Sequence, residues 1–358
     1  MVKVYDMRYI SLISILMFAK YILAQPVGYY DSAKDKKGND LKFALHEIIK
    51  GHIEFPYTSS STDTWDILKL TDRDENDTTL VELIYSGDLV DGAQEYNSGS
   101  GWNREHVWAK SRGDFGTDKG AGTDVHHLRP CNISINSSRN NRAFDDCNSC
   151  VSIDLNGNST GSFRDINLWT FEPRDEVKGD VARMIFYMAT RYEQEDGVDL
   201  EIDDILRGNT DKSPNHSVLT TLLLWNEIDT VSDKEIRRNN IIYEKFQKNR
   251  NPYIDHPELA NYVFGGLQGE KWMSVISVNE KTKSKSNCLE IIKEQNSTYI
   301  IKNLSETNQE FILVDIKGSI IQQGSVHPFD GSELNLKPNS IYFIKSNRCN
   351  YSLKIITT

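Results

Sequence analysis

Hydrophobic residues in the N-terminal two-thirds of the chain recur mainly at helical spacing. The clearest pattern covers residues 175–192, where apolar positions three or four residues apart predict an amphipathic helix. The same spacing predicts helices over residues 41–53, 217–225 and 233–246. Residues 81–85 are instead a short apolar run that predicts a strand.

Polar residues dominate the segment between residues 96 and 165, which is dense in Gly, Asn, Ser and Asp. Little periodicity is present there, so loops are predicted. This segment also holds most of the histidines and arginines of chemical interest. Residues 249–257 are predicted to form a second, proline-flanked loop.

The pattern changes towards the C-terminus. Residues 279–287 are polar and charged without apolar residues, and they predict a linker, which we place at residues 276–296. Beyond it, five strand-like runs alternate with turns, at residues 299–302, 311–316, 320–325, 340–346 and 352–357. The chain is therefore expected to be an α+β protein, with a mainly helical domain at residues 25–275 and a small all-β sandwich at residues 297–358.

The N-terminus has the pattern of an export signal. Lys3 and Arg8 precede the mostly apolar residues 10–19. A membrane anchor is the alternative, but Lys20 interrupts a run that would need about 20 apolar residues to span a bilayer. We therefore expect residues 1–24 to be a cleaved signal peptide, and the protein to be secreted or at the cell surface without stable membrane insertion.

Composition narrows the class of protein. The chain has 358 residues, of which 38% are hydrophobic and 26% charged, and this argues against global disorder. The 41 basic and 52 acidic residues give a net charge of −11, which argues against a broad nucleic-acid-coating surface but not against a positive groove. Between residues 102 and 144, seven basic residues accompany four acidic ones, a local excess of three positive charges.

Export would allow the five cysteines to form disulfides. Cys147 and Cys150 are close in sequence, and Cys288 and Cys349 bracket the C-terminal region. We expect each of these two pairs to form a disulfide, which leaves Cys131 without a disulfide partner. Zinc is the alternative for the first pair, but no second pair stands at zinc-ligand spacing.

Three short motifs contain the residues with catalytic potential: WNREHVW at residues 102–108, DVHHLRP at 124–130 and NSSRNNR at 136–142. A neutral imidazole can take a proton from water near pH 7. Carboxylate and amide oxygens suit Mg²⁺, which stabilises charge on a phosphate, and arginines match phosphate geometry. Each motif alone is a weak signal, because a neighbouring Glu–His pair is usually structural, but together they predict phosphodiester cleavage.

These motifs, in this order, closely resemble the endonuclease I family, secreted or periplasmic nucleases of the ββα-metal (His-Me finger) superfamily. The resemblance continues in FEPRDEVKGDVAR at residues 171–183, RRNN at 237–240 and NRNPYIDHPE at 249–258. It implies a ββα-metal core inside the mainly helical domain. It also implies a nucleic-acid substrate, DNA and possibly RNA, that is cut with little sequence preference.

The resemblance also implies roles for particular residues. His106 matches the general base, and Glu105 and Asn136 match the ligands of one Mg²⁺ ion, for which Mn²⁺ or Ca²⁺ could substitute. Water activated by His106 would attack in line and leave 5′-phosphate and 3′-hydroxyl ends.

Four arginines are candidates for contacts with substrate phosphates: Arg112, Arg129, Arg139 and Arg142. In periplasmic members an insertion after the histidine carries the phosphate-binding arginine, and that insertion is shortened here. Three residues are expected to support the site, with one of the two histidines packed inside: Asp124, His126 and His127.

The C-terminal module resembles the type IX secretion sorting domain of exported Bacteroidetes proteins, through FILVDIKG at residues 311–318 and LKPNSIYFI at residues 336–344. This resemblance implies a partner in the secretion machinery and no part in catalysis; a sandwich that binds carbohydrate or a surface partner is the alternative. For the whole protein, two other functions stay open: a surface binding or adhesion protein with an inactive nuclease-like domain, and an RNA-preferring nuclease.

Overall fold

The computed structural model describes residues 25–147, 149–193, 197–272, 289–293, 299–315, 319–337, 341–346 and 351–356. The expected signal peptide, Cys288 and Cys349 lie outside the described residues, so the cleavage position and the second disulfide stay predictions. Among the described helices, none combines the length and the apolar character that crossing a bilayer requires.

Helices and short strands alternate through the described part of residues 25–272. The helices are α1 (Gly38–Ile49), α2 (Thr64–Thr71), α3 (Ile133–Arg139), α4 (Lys178–Arg191), α5 (Leu219–Ile228), α6 (Asp233–Lys245), α7 (Pro252–Asp255) and α8 (Leu259–Val263). The strands are β1 (Leu80–Glu82), β2 (Leu89–Asp91), β3 (Trp102–His106), β4 (Leu128–Asn132), β5 (Ala143–Phe144), β6 (Val151–Leu155), β7 (Asn158–Arg164), β8 (Thr170–Glu172), β9 (Glu201–Asp203) and β10 (Asn215–Val218).

Helix α4 is the centre of the hydrophobic core, and every one of its residues is buried. Helices α1, α5 and α7 contact it. The predicted helix is confirmed, but its polar face is buried as well as its apolar face. Asp180 and Arg183 can lie inside because ion pairs with other elements compensate their charges.

The other helices predicted from hydrophobic spacing are also confirmed, as α1, α5 and α6, and the short strand is confirmed as β1. The polar segment between residues 96 and 165 is more regular than predicted, because it contains β3, β4, α3 and the hairpin β6–β7. These elements are short and polar, so their periodicity is weak, and neighbouring elements supply much of their burial.

Strands β3 and β4 pair antiparallel, and helix α3 follows β4 directly. Glu105 stands opposite Arg129, and His106 stands opposite Leu128. Asn132 ends β4 and caps α3, since its side chain accepts hydrogen bonds from the first-turn backbone amides. The order strand, strand, helix agrees with the unit that the family resemblance implied.

Seven strands described after residue 288 form a separate β module with its own hydrophobic core. One sheet contains β11 (Leu289–Lys293), β12 (Tyr299–Asn303) and β15 (Gly331–Leu334); the other contains β13 (Gln309–Asp315), β14 (Ile320–Val326), β16 (Ile341–Ser346) and β17 (Tyr351–Ile356). The predicted linker is too long at its C-terminal end. Strand β11 lies within it, because Leu289 enters the core of the module.

Cys147 and Cys150 form a disulfide, as predicted, and Cys131 is buried and free. The disulfide lies just before the hairpin β6–β7. Because both sulfur atoms are engaged with each other, the zinc alternative for this pair is not supported.

Candidate active site

One cleft of about 630 Å³ is built on the strand–strand–helix unit. The end of β3 supplies Glu105 and His106, and α3 supplies Asn136 and Arg139, which share one side of the helix. The other lining residues are Tyr57, Thr58, Trp65, Tyr96, Asn103, Arg104, Ala109, Lys110, Ser111, Asn140 and Asn141. The structure therefore brings the predicted base and the two predicted metal ligands into one cleft.

Glu105 is held by one hydrogen bond and one ion pair on the same oxygen. Its Oε1 accepts a 2.8 Å hydrogen bond from the Tyr85 hydroxyl, and Arg139 Nη1 lies 3.3 Å away. Burial raises the pKa of Glu105 to about 7, although Arg139 and Tyr85 both act to lower it. No hydrogen bond to Oε2 is present among the described residues, so this oxygen is available to a ligand.

His106 is fixed in one tautomer. Its Nε2 lies 3.0 Å from the carbonyl oxygen of Gly122, which can only accept, so Nε2 carries the proton. Burial holds the pKa of His106 well below its usual range, so the ring is neutral near pH 7. The lone pair is then on Nδ1, which forms no hydrogen bond within the described part of the chain. Tyr57 stacks against the imidazole, with ring centres 5.6 Å apart.

Asn136 presents an amide oxygen. Its Nδ2 donates a 3.0 Å hydrogen bond to Oδ1 of Asn103, and Oδ1 of Asn136 has no such partner among the described residues. Together with Oε2 of Glu105, the cleft offers two oxygen atoms of the kind that Mg²⁺ prefers. The donor set therefore fits a hard divalent cation.

Arg139 lines the cleft, but its guanidinium is engaged by the protein. It is 1% exposed and donates a 3.1 Å hydrogen bond to the carbonyl of His106. Its Nη2 lies 2.8 Å from Nε2 of His216 and also contacts the carbonyl of Val107. Arg139 thus fixes α3 to the end of β3, beside its ion pair with Glu105.

Two arginines predicted to contact phosphate do not line the cleft, and the protein engages both of them, which argues against both assignments. Arg112 is 1% exposed and donates to backbone carbonyls, including those of Asp211 at 2.9 Å and Arg207 at 3.0 Å. Arg129 is also 1% exposed and forms ion pairs of 2.6 Å with Asp72 and 3.1 Å with Asp180. The local positive excess in the sequence therefore overstates the charge that faces solvent.

Arg129 belongs to a larger group, here named the buried ion-pair cluster: Asp72, Arg129, Asp180, Arg183, Glu235 and Arg238. All six residues are buried. The guanidinium of Arg238 lies 3.2 Å from Asp72 and also donates to the carbonyl of Leu128 at 2.7 Å. The cluster therefore ties helices α4 and α6 to the start of β4.

Arg142 differs from these arginines because no acidic residue pairs with it in the described part of the chain. Its guanidinium carbon lies 3.7 Å from the centre of the Trp169 ring, and it also donates to the carbonyl of Ser138. Its role as a phosphate contact stays a prediction.

Asp124, His126 and His127 lie outside the lining of the cleft. Asp124 accepts hydrogen bonds from two buried tyrosines, including one of 2.7 Å from Tyr187. Each histidine bonds a backbone carbonyl through Nε2, and burial lowers the pKa of each to about 4. Both histidines are packed inside, where one was expected, and the His127 ring lies 5.6 Å from that of His106.

Sequence reasoning missed several residues that shape the cleft. Tyr85 holds Glu105, Tyr57 stacks on His106, and Arg104 lies 3.4 Å above the Tyr57 ring. None belongs to a motif that marks it as functional, except that Arg104 directly precedes Glu105. Tertiary contacts alone bring the two tyrosines to the site.

An acidic group outside the cleft contains Glu193, Asp199 and Glu201, with one oxygen of each within 4.8 Å of the others. Lys42 forms ion pairs with Glu193 and, at 3.2 Å, with Glu201. This ammonium group compensates part of the negative charge, so the cleft is the better candidate for a cation.

Comparison with known proteins gives consistent matches. The family model described as Endonuclease I matches residues 37–258, which include every residue of the cleft. The extracellular ribonuclease of Bacillus subtilis (strain 168) is 47% identical over 239 residues, which cover 66% of this chain and 78% of that protein. The extracellular ribonuclease of Bacillus amyloliquefaciens is 48% identical over 242 residues, with the same coverage of 66% and 78%.

Proposed function

The chain belongs to the endonuclease I family and is a secreted nuclease, and on that premise we propose that it is a Mg²⁺-dependent endonuclease that cleaves DNA with little sequence preference. One observation carries this proposal. Glu105, His106 and Asn136 line the same cleft, and each has an unengaged acceptor atom available. This arrangement supports catalysis better than the alternative of an inactive, surface-binding protein.

His106 supplies the base in the proposed reaction. Its Nδ1 accepts a proton from water, and the resulting hydroxide attacks phosphorus opposite the 3′-oxygen. The bond from phosphorus to the 3′-oxygen breaks, and the leaving oxygen takes a proton from a solvent water molecule, which leaves a 5′-phosphate and a 3′-hydroxyl end. The hydrogen bond from Nε2 to Gly122 keeps the base in the required tautomer.

Glu105 and Asn136 would hold the divalent cation through Oε2 and Oδ1. The bound cation would stabilise negative charge on the phosphate and on the leaving oxygen. Tyr85 and Arg139 orient the Glu105 carboxylate from the protein side. Asn103 orients the amide of Asn136 in the same way.

RNA belongs to the proposed substrate range, because both relatives are named extracellular ribonuclease. The proposed base is an amino-acid side chain and does not depend on a 2′-hydroxyl group. We therefore expect both sugars to be accepted, with digestion of DNA and RNA side by side as the measurement.

We also propose the division into a signal peptide at residues 1–24, a nuclease domain at residues 25–275 and a C-terminal sorting module. The family match ends at residue 258, and the β module begins with β11, which supports a boundary between them. Removal of the β module should leave cleavage unchanged and abolish export in a host with type IX secretion. Loss of cleavage on removal would contradict this division.

The first experiment is digestion of supercoiled plasmid by the exported chain, with Mg²⁺ or with EDTA, beside His106→Ala. The proposal expects Mg²⁺-dependent degradation, and a rate lower by about 10²–10⁴-fold in the variant. Asn136→Ala should raise the Mg²⁺ concentration needed for half-maximal activity. If the folded wild-type protein fails to cleave plasmid with every divalent ion tested, the proposal is overturned in favour of a binding protein.

A further inference from the structure

A group of three side chains adjoins the cleft without belonging to its reacting centre: Arg142, Arg164 and Trp169. Trp169 is connected to the cleft by a 2.8 Å hydrogen bond from its Nε1 to Oδ1 of Asn141, a lining residue. The guanidinium of Arg142 lies 3.7 Å above the same indole ring. These contacts place the group beside the C-terminal end of α3.

The two arginines of this group differ in exposure, since Arg142 is 5% exposed and Arg164 is half-buried, and neither is neutralised. Among the described residues, no carboxylate forms an ion pair with Arg142 or Arg164, unlike the arginines of the buried ion-pair cluster. Asp165 directly follows Arg164, but its Oδ1 accepts hydrogen bonds from the backbone amides of Asn167 and Leu168. Arg164 on β7 pairs with Phe171 on β8, two residues beyond Trp169, and this pairing places its backbone near the indole. Burial and the charge of Arg164 both lower the pKa of Arg142.

The loop that carries Trp169 has features that packing does not explain. Trp169 has a φ of +60°, a backbone conformation that is unfavourable for an aromatic residue. Ile166 and Leu168, in the same loop, are 58% and 52% exposed. Strained backbone and exposed apolar side chains beside a cleft are typical of a binding surface.

We propose that Arg164 and Trp169, with Arg142 held against the indole ring, form a substrate subsite for the nucleic-acid strand that flanks the scissile phosphate. Cations and an aromatic face in one place bind polynucleotides, because the cations pair with phosphates and the ring stacks on bases. This inference rests on the proposed nuclease function but concerns binding, which can be measured without cleavage.

The test measures the affinity of the exported chain for a short fluorescein-labelled single-stranded DNA by anisotropy, in EDTA, over a series of NaCl concentrations. Arg164→Gln should weaken binding and reduce the slope of log K against log [NaCl] by about 0.7, the value for one lost phosphate contact on a single strand. Trp169→Leu should weaken binding about fivefold or more and leave the slope unchanged, because it removes no charge.

The matched control is Arg237→Gln, which removes the same charge from a residue paired with Glu75 at 3.2 Å and outside the cleft lining. It should change neither the affinity nor the slope. If Arg164→Gln leaves both the affinity and the salt slope unchanged, the subsite is overturned. This outcome does not depend on whether Trp169→Leu folds. The two proposals can also fail separately. If the variants change DNA binding as expected but the wild-type protein cleaves no substrate with Mg²⁺, the subsite is supported and the proposed nuclease mechanism is rejected.

Discussion

Carboxylates meet arginines both in the cleft and in the buried ion-pair cluster, and the two regions differ in how far their charges are compensated. In the cluster, Asp72 lies between Arg129 and Arg238. In the cleft, Glu105 has one arginine partner among the residues that the structure describes, and its contacts with Arg139 and Tyr85 are on the same oxygen. In the cluster, the carboxylates and guanidinium groups compensate one another's charges. In the cleft, by contrast, Oε2 of Glu105 accepts no hydrogen bond from the described residues and is available to a ligand.

This difference teaches that residue type is a poor guide to function in this chain. Arg129 follows the two histidines of DVHHLRP, and Arg142 ends the asparagine-rich motif NSSRNNR. Arg129 is neutralised by two carboxylates, whereas Arg142 is left with an aromatic ring. A buried ion pair stabilises the fold only while both partners are present, so the two regions should respond differently to substitution.

The largest expected effect is on the cluster. Asp72→Asn should lower the free energy of unfolding by about 3–5 kcal/mol, because two buried arginines lose their shared carboxylate. Urea unfolding followed by circular dichroism measures this change. The fraction of Asp72→Asn that is folded without urea should cleave plasmid with the same kcat as the wild type, because Asp72 does not line the cleft.

Asp88→Asn is the control for this comparison, because Asp88 is exposed. It should change the free energy of unfolding by less than about 0.5 kcal/mol. Equal stability losses in the two variants would contradict the structural role of the cluster.

The cluster should also make the fold sensitive to acid. Burial alone would raise the pKa of Asp72, but Arg238 and Arg129 outweigh it and lower the pKa from 3.8 to about 2. A lowered pKa stabilises the fold above pH ~4, and this contribution, ~2 kcal/mol, is lost as the pH falls through about 2. Urea unfolding of the wild type at several acidic pH values measures the loss. Asp72→Asn should show a shallower dependence, and an identical dependence would speak against this assignment.

A smaller effect distinguishes two buried tyrosines that each donate to a carboxylate. Tyr85→Phe removes the 2.8 Å hydrogen bond to Glu105 and should weaken cation binding about tenfold, because partners of a ligand fix its orientation. Tyr187→Phe removes the 2.7 Å hydrogen bond to Asp124 and should lower stability without changing cation binding. Mn²⁺ binding by electron paramagnetic resonance, read beside the Mg²⁺ dependence of cleavage, separates these outcomes. Equal Mn²⁺ affinities in both variants would remove Tyr85 from the site.

The smallest effect concerns the helix that carries part of the cluster. Ser232 caps α6, and its hydroxyl accepts a 3.2 Å hydrogen bond from the backbone amide of Glu235. Ser232→Ala should cost about 1 kcal/mol of stability, whereas Ser232→Thr should keep most of it. Thermal unfolding of both variants is the measurement, and cleavage should be unchanged. A loss of activity at equal stability would show that the two regions are coupled.

Much of the site was predictable because its parts are close in sequence. Glu105 and His106 are neighbours at the end of one strand, and Asn136 lies on the helix that follows the next strand. Tyr85 and Tyr57 were not predictable, because only tertiary contacts bring them to Glu105 and His106. The strands of the polar segment were missed for a similar reason, since their burial depends on neighbouring elements.

The sequence by itself determined the main helices, the β module and the family, because periodic hydrophobic positions and short motifs are local properties. Only the tertiary structure decided which charges face the cleft. Arg129 is neutralised by Asp72 and Asp180, which lie far from it along the chain, so no local pattern reveals its fate. The cost of burying an unpaired charge is a property of the folded environment, and it explains why Arg129 needs its two carboxylates.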